Sequence, residues 1–196
     1  MSKITNLTLG SDPEFFLFDK TIQKVVPAVG LVGGAKYAPH YLPTGEGILE
    51  DNVMVEFTTS VCKDAKDITA SVNRALSYLR NKLDKKYEFL FAATHNFDWQ
   101  DLATEQAMLF GCEADYNAYT RRENIPPDSS KESLRSCAGH IHLGWDNPTL
   151  SDAVTLVKLL DLYLGVPSVL LDEDRDRRKL YGKAGCFRPK AYGKRK

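Results

Sequence analysis

The sequence lacks most of the short motifs that identify common enzyme classes. It has no G-x-G-x-x-G loop and no G-x-S-x-G elbow, so neither a Rossmann dinucleotide site nor an α/β-hydrolase serine is indicated. The segment from Gly30 to Tyr37, GLVGGAKY, is similar to a Walker loop but has no glycine before Lys36 and no Ser or Thr after it. We therefore interpret this segment as a turn.

An excess of one charge and an export signal are also missing. The 26 basic and 26 acidic residues cancel, so the net charge gives no reason to expect a nucleic acid or an anionic membrane as a partner. Residues 1–6 are polar and unlike a secretory leader. No apolar run reaches the roughly 20 residues that are needed to span a bilayer. These absences predict a cytoplasmic chain.

Cysteine is sparse and is not arranged as a ligand set. The four cysteines (Cys62, Cys112, Cys137 and Cys186) are scattered and form no C-x-x-C pair. In a chain without an export signal, reduced thiols are the default state. We therefore expect neither a disulfide framework nor a zinc site built from these residues.

The patterns that are present predict an α+β fold. Aromatic and β-branched runs predict strands over residues 7–18, 24–29, 47–59, 87–94 and 134–145. Apolar residues at helical spacing predict helices over residues 64–83 and about 150–164, and a third helix from Pro167 to about Lys179. The uneven order of these elements favours a mainly antiparallel sheet with helices packed on one side, in a single domain over residues 1–196.

Local signals indicate where some of these elements begin and end. Pro13 lacks an N–H donor, which predicts an interruption of the first strand near Gly10–Pro13. Thr149 is placed to cap the second helix, with Asp152 three residues on, and Gly165 is placed to end it.

Three of the predicted strands combine a polar face with an apolar one, because residues two apart on a strand share a face. The polar faces are formed by Asp12 with Glu14, by Glu50, Asn52, Met54 and Glu56, and by His140 with His142. On the opposite face of the histidine strand lie Ile141, Leu143 and Trp145. We expect Ile141 in the core, so that Ile141→Ala costs roughly 2–5 kcal/mol.

A polar face of carboxylates and imidazoles suits a site for a metal and a phosphate. Carboxylates are the hard oxygen ligands that Mg²⁺ prefers, and a neutral imidazole can join them. Taken alone, each strand is also explained by a face exposed to water, and the H-x-H pair by a structural role. The small residues beside the histidines (Ala138, Gly139 and Gly144) favour close approach by another group.

Four segments in this order resemble a family of phage carboxylate–amine ligases, also called amidoligases. The segments are GSDPEFFL (10–17), EDNVMVEF (50–57), FGCEADYNAY (110–119) with LRSCAGHIHLG (134–144), and RRKLYGKAGCFRPKAYG (177–193). The resemblance spans nearly the whole chain, since the segments are distributed from residue 10 to residue 193. The family is similar in fold to glutamine synthetase and glutamate–cysteine ligase, which implies a glutamine-synthetase-like curved, mainly antiparallel sheet with the site on its concave face.

The resemblance also implies a reaction. A carboxylate takes the γ-phosphoryl group of ATP to form an acyl phosphate, and an amine displaces the phosphate to give an amide. ATP and Mg²⁺ are then the expected cofactors, and small-molecule or peptide carboxylates and amines are the expected substrates. A phage-encoded chain would act in the host cytoplasm.

Carried onto this chain, the resemblance implies roles for individual carboxylates. Glu14 looks like the first metal carboxylate and Glu56 like the second, with Glu50 or Asp51 as a nearby ligand. His140 or His142 looks like the imidazole near the metal or the γ-phosphate, and His140 is preferred because it follows glycine. The predicted catalytic residues are thus Glu14, Glu56, His140 and His142, and the predicted metal ligands are Glu14, Glu50, Glu56 and His140.

Arginines and two further polar residues complete the predicted site. Arg177, Arg178 and Arg188 look like phosphate-binding residues, because a guanidinium group offers a fork of donors. Asp115 and Asn117 are interpreted either as substrate-orienting residues or as a turn held by side-chain hydrogen bonds.

The chain departs from the family at its end. Tyr192–Gly193 is followed by Lys194, Arg195 and Lys196, where the family continues into a strand that carries an acidic residue. This departure implies a relative shortened at the C-terminus, which is either completed by another chain or is an inactive phage binding or structural protein. An unfinished sheet edge also favours a homo-oligomer. A metal-dependent hydrolase is the third interpretation.

Overall fold

The computed structural model of the protein describes residues 4–108, 115–125 and 133–190. It divides into two compact units: unit 1 comprises Met1–Thr5, Cys112–Asp128 and Asp146–Lys196, and unit 2 comprises Asn6–Gly111 and Ser129–Trp145. The single domain over residues 1–196 stays a prediction. Residues 110–114 and 191–193 of the family-like motifs, and the basic residues 194–196, lie outside the described residues.

The described residues form strands and helices in both units. The strands are β1 (Thr8–Ser11), β2 (Glu14–Asp19), β3 (Lys24–Val26), β4 (His40–Tyr41), β5 (Gly47–Asp51), β6 (Met54–Thr58), β7 (Tyr87–Leu90), β8 (Thr94–Asn96), β9 (Tyr116–Asn117), β10 (Leu134–Ser136), β11 (Ile141–Gly144) and β12 (Cys186–Phe187). The helices are α1 (Ala65–Lys82), α2 (Glu105–Met108), α3 (Leu150–Leu160), α4 (Val166–Leu171) and α5 (Arg175–Leu180).

Antiparallel pairing joins the named strands throughout the described residues. The largest sheet, in unit 2, has the order β3-β2-β6-β5-β4, and β7 also pairs with β2. Smaller pairs are β1 with β11 and β8 with β10 in unit 2, and β9 with β12 in unit 1. The predicted α+β class with antiparallel sheets is therefore confirmed.

Helix α1 is the predicted helix over residues 64–83, and its packing forms the main core of unit 2. Its N-cap is Asp64, whose side chain accepts a hydrogen bond from the Asp67 N–H, which satisfies one of the backbone donors left unpaired at a helix start. Its apolar stripe of Ala75 and Leu79, continued by Leu83, packs against sheet residues. The sheet residues in this cluster are Phe15, Leu17, Ile48, Val55 and Phe57.

Residues 47–59 form a hairpin rather than the predicted single strand. Strands β5 and β6 pair with Glu50 opposite Val55 and Leu49 opposite Glu56. The turn between them passes through Asn52, whose φ of 56° lies in the left-handed region, a conformation that asparagine tolerates better than most residues. The hairpin therefore reverses the predicted faces of the β5 residues relative to those of β6, and Glu50 does not share a face with Glu56.

The first strand is interrupted at Asp12–Pro13, as predicted. Before the interruption, β1 pairs with β11, so that Gly10 is opposite His142. After it, β2 pairs with β6, so that Glu14 is opposite Glu56. The Pro13 carbonyl accepts a hydrogen bond of 3.2 Å from the Phe57 N–H. The interruption thus places one chain segment beside both the histidine strand and the carboxylate strand.

In unit 1, helix α3 begins where predicted but does not end at Gly165. The Thr149 side chain accepts a hydrogen bond from the Asp152 N–H and caps the helix. A π-helical turn over Asp161–Gly165 carries the helix directly into α4. Gly165 adopts a right-handed helical conformation, with φ −60° and ψ −52°, and therefore makes no left-handed cap. The predicted third helix is split, since α4 ends at Leu171 and α5 starts at Arg175.

This continuous stretch corrects the expectation that no segment is long and apolar enough to span a bilayer. Leu150–Leu171 has 22 residues, and a window of 18 residues within it has a mean hydropathy of 1.7 and no buried residue. Charged residues such as Lys158 and Asp161 interrupt the apolar run in the sequence, whereas the helix itself is uninterrupted. The helix is long and apolar enough to span a bilayer by its length and composition alone. The core helix of a soluble protein can have the same length and composition.

The predicted burial of Ile141 is wrong, because its side chain is 62% exposed. In the short β1–β11 pair, Ile141 is opposite Ser11 and covers no cluster of buried side chains. We expect Ile141→Ala to change the free energy of unfolding by less than about 0.5 kcal/mol, as exposed substitutions usually do. Urea denaturation measures this change, and a cost near that of a core truncation would contradict the described placement of β11.

Candidate metal site

Three carboxylates from neighbouring parts of the unit 2 sheet converge on one point. One oxygen each of Glu14, Asp51 and Glu56 lie within 4.8 Å of one another. Glu14 and Glu56 are direct partners across β2 and β6. Asp51 follows Leu49 by two residues, and Leu49 is the partner of Glu56, so Asp51 lies on the same face. The hairpin turn therefore delivers the third carboxylate.

The environment of this carboxylate cluster disfavours full ionisation of its members. Burial, followed in size by the charges of Glu14, Asp51 and Asp12, raises the pKa of Glu56 to about 8. Burial likewise raises the pKa of Glu14 to about 7, although a hydrogen bond from the Ala138 N–H opposes the shift. Like charges held close together in a partly dry site resist losing their last protons. A bound cation would remove that resistance.

Glu50, which we predicted as a metal ligand, lies on the other face and has a different set of partners. Its oxygens accept hydrogen bonds from the N–H groups of Gly30 at 2.8 Å, Val32 at 2.8 Å and Gly33 at 2.7 Å. The Gln106 side chain adds a bond of 3.3 Å. Glu50 therefore holds the glycine-rich segment in place, and the structure brings Asp51 rather than Glu50 to Glu56.

A second group joins Asp12 to both histidines. The two Asp12 oxygens lie 3.0 Å from His140 Nδ1, and Oδ2 lies 3.2 Å from His142 Nε2. The His140 backbone N–H also donates to Asp12. Burial alone would raise the pKa of Asp12, but the hydrogen bonds from the two histidines outweigh it and hold that pKa well below its usual range.

The small residues beside the histidines allow close approach by the chain itself. A Cβ atom on Gly139 would lie 3.2 Å from the Pro13 Cα atom and 3.4 Å from the Asp12 carbonyl oxygen. The neighbouring Ala138 donates its N–H to the Glu14 carboxylate at 2.9 Å and accepts from the Glu14 N–H at 2.8 Å. This close packing fixes the histidine group beside the carboxylate cluster.

The predicted ligand set is thus divided between two adjacent groups. Glu14 and Glu56 meet Asp51, while His140 and His142 meet Asp12. The donor set of the first group consists of carboxylate oxygens, which suit a hard cation such as Mg²⁺. Glu56 is 9% exposed, and its carboxylate makes no hydrogen bond within the described residues, so its oxygens are available to a metal ion.

The predicted phosphate-binding arginines belong to unit 1. Arg177 and Arg178 lie on α5, and Arg178 Nε is 3.1 Å from Asp172 Oδ2. Arg188 Nε is buried and makes no hydrogen bond to the described residues. A phosphate-binding role for the three arginines stays a prediction.

Asn117 and Asp115 act locally in unit 1, as the turn interpretation expects. The Asn117 Oδ1 atom accepts the N–H groups of Tyr119 at 2.9 Å and Thr120 at 3.1 Å. Asp115 accepts a bond of 2.6 Å from Asn124. These contacts are typical of a side-chain-stabilised turn.

Sequence reasoning underrated two residues of the site, Asp12 and Asp51. Asp12 was placed on the polar face without a role, although its position before Pro13 marked a break where a side chain could turn toward a neighbour. Glu50 is preferred to Asp51 as a metal ligand if side chains alternate between the two faces of one strand through Glu50, Asp51 and Asn52. The Asp–Asn pair was itself a turn signal that would have shifted the choice.

Comparison with known protein families supports the resemblance over the C-terminal third of the chain. The family model described as Phage phiEco32-like COOH.NH2 ligase-type 2 matches residues 129–195. This stretch includes β11 and both histidines, His142 within the strand and His140 just before it. No curated protein and no solved structure matches the chain. Over residues 129–195 the chain is therefore similar to the phage COOH.NH2 ligases, which confirms the family resemblance that its motifs predicted.

Proposed function

We propose that the protein is an ATP- and Mg²⁺-dependent carboxylate–amine ligase that acts through an acyl-phosphate intermediate. The family description supports a ligase of the COOH.NH2 type. The observation that carries the proposal is the cluster of Glu14, Asp51 and Glu56, whose oxygens lie within 4.8 Å of one another. Such a cluster suits a divalent cation that in turn binds a polyphosphate.

The electrostatics of the cluster support a cation as its natural partner. Three carboxylates this close repel one another, and this repulsion adds to burial, the larger cause, in raising the pKa values of Glu14 and Glu56. If these three side chains had only a structural role, uncharged amide side chains would serve as well and would not repel one another. Glu14, Asp51 and Glu56 would hold the metal, and bound Mg²⁺ would offset the charge that develops on the transferred phosphoryl group.

The chain's other residues have supporting tasks in this proposal. Asp12 orients the imidazoles of His140 and His142 through its hydrogen bonds, so that each ring presents its other nitrogen to the metal ion or the substrate. Arg177, Arg178 and Arg188 are proposed to bind phosphate oxygens. A glutamine-synthetase-like arrangement of the sheet belongs to the same proposal, supported by the antiparallel order of unit 2.

Calorimetric titration with ATP, with and without Mg²⁺, tests the proposal. We expect magnesium-dependent binding that Glu14→Gln weakens at least about tenfold, because the substitution removes one charged metal ligand. The matched control is Glu88→Gln on β7, whose carboxylate is exposed and pairs with Lys20 at 3.5 Å. This control should bind like the wild type.

The opposite results have a definite meaning. If the wild type binds no nucleotide at millimolar concentration, the ligase function is refuted in favour of a non-catalytic relative that serves as a phage binding or structural protein. If Glu14→Gln and Glu88→Gln bind equally well, the metal assignment is refuted. Where binding is found, release of ADP on addition of candidate carboxylates and amines identifies the substrates.

A further inference from the structure

The glycine-rich segment that we interpreted as a turn is held against the sheet by a buried carboxylate. Glu50 is only 8% exposed, and its two oxygens bind the N–H groups of Gly30, Val32 and Gly33 at 2.7–2.8 Å. Hydrogen bonds to a charged acceptor are about twice as strong as neutral ones. The start of the segment is therefore firmly anchored.

A second attachment fixes the segment where it leaves this anchor. The Glu50 N–H donates to the Gly34 carbonyl at 3.3 Å, and Ala35 pairs with Ala38 through bonds of 3.1 and 2.8 Å. Gly34 has a φ of +80°, and a Cβ atom there would lie 2.3 Å from the Ile48 carbonyl oxygen. Only glycine permits this approach, so the backbone before Lys36 is laid directly along β5.

The consequence of both attachments is the placement of Lys36 at the carboxylate cluster. Its Nζ atom is 3.6 Å from Asp51 Oδ2, and the side chain is 38% exposed whereas that of Asp51 is 16% exposed. The positive charge also reaches Glu56, where it opposes the rise of the pKa. A half-exposed ammonium group thus stands at the rim of the proposed metal site.

We propose that Lys36 is an anion-binding residue of this site, which pairs with Asp51 in the metal-free protein and binds a phosphate group of the nucleotide once a metal ion has taken Asp51. This inference rests on the proposed ligase function. An ordinary exposed ion pair is worth at most about 1 kcal/mol and requires no anchored loop. Here two separate attachments position one lysine beside three carboxylates, which is more than an ion pair needs.

The exchange of partners follows from the chemistry of the groups. An ammonium group and a divalent cation compete for the same Asp51 oxygen, and the divalent cation carries twice the charge. Lysine is a point charge on a flexible stem, so its Nζ atom can move by a few ångströms without moving the loop. Phosphate oxygens held by the metal then offer a new negative partner to the displaced ammonium.

Two titrations of Lys36→Gln test the inference, because the expected effects have opposite signs. Titrated with Mn²⁺ alone, the variant should bind the metal about threefold to fivefold more tightly than the wild type, since a competing cation is gone. Titrated with ATP in saturating Mg²⁺, the variant should bind about tenfold more weakly, because a phosphate ligand is lost. Lys36→Arg, which keeps the charge, should stay near the wild type in both titrations.

Each other outcome overturns the inference. Equal binding of Mg·ATP by wild type and Lys36→Gln excludes Lys36 from the nucleotide site while the ligase proposal stands. Weaker binding in both titrations, with a lowered melting temperature, identifies Lys36 as structural. If the wild type binds Mn²⁺ but no Mg·ATP, the ligase proposal fails, and the phosphate-binding role of Lys36 fails with it.

Discussion

Glu56→Gln is expected to weaken metal binding strongly and, at the same time, to stabilise the metal-free protein at alkaline pH. The substitution removes the most buried carboxylate of the cluster, and we expect Mn²⁺ affinity to fall about 100-fold, or roughly 2.7 kcal/mol. Without metal, the same substitution removes a buried charge that has no hydrogen bond within the described residues. Above pH about 8 we expect a gain of about 2–3 kcal/mol in the free energy of unfolding.

The sign of the stability change follows from the raised pKa of Glu56. The folded chain keeps a proton that the unfolded chain releases near pH 4.5, so the stability from protonated Glu56 is fully present below that pH and is lost as the pH rises through about 8. The advantage of the Gln variant should therefore grow from about pH 5 to about pH 9. Urea denaturation in a chelator, at several pH values, measures it.

Glu88→Gln again supplies the control, because its carboxylate is exposed and outside the cluster. The difference in free energy of unfolding between Glu88→Gln and the wild type should not grow with pH. A Glu56→Gln protein that is less stable than wild type at alkaline pH would mean that the carboxylate has favourable partners, and unchanged Mn²⁺ affinity would exclude it from the metal site.

Gly34→Ala is expected to cost at least about 3 kcal/mol of folding free energy, which is large for the addition of one methyl group. The new Cβ atom would lie 2.3 Å from the Ile48 carbonyl oxygen and 2.9 Å from the His40 nitrogen. Both are backbone atoms of paired strands, β5 and β4, and cannot move without breaking their ladder. The left-handed φ of +80° adds to the strain.

Gly30→Ala separates the two causes. Gly30 has nearly the same φ, +76°, but a Cβ atom there meets nothing within 4 Å. Gly30→Ala should therefore cost only the strain of placing alanine at a left-handed φ, about 1 kcal/mol of folding free energy. Chemical denaturation of both variants compares them directly. Equal costs would mean that the segment does not lie along β5, and the placement of Lys36 would then lose its basis.

Where local chemistry determines an element, the sequence was sufficient to predict it. The apolar residues at helical spacing over residues 64–83 identified α1 almost to the residue. The Thr149 cap identified the start of α3, and Pro13 identified the break in the first strand. In each case the deciding interaction joins residues within one or two helical turns, or is a missing N–H group.

Prediction from the sequence failed where the apolar pattern does not report the deciding structural feature. The choice between Glu50 and Asp51 depends on which residues of the hairpin form the turn, and an alternating pattern continues without change across such a turn. The exposure of Ile141 depends on how little structure packs behind the β1–β11 pair. Gly165 was expected to end a helix, but the wider π-helical turn accommodates it within one.

The hydrogen bonds of Asp12 also make its two histidines chemically unequal. An ionised carboxylate only accepts hydrogen bonds, so each neutral ring must direct an N–H group toward it. His140 meets Asp12 through Nδ1 and His142 through Nε2. A neutral His140 ring that donates to Asp12 carries its hydrogen on Nδ1 and a neutral His142 ring carries it on Nε2, so a different nitrogen faces away from Asp12 in each. One aspartate thus gives two identical side chains, two positions apart in the sequence, different outward-facing nitrogens.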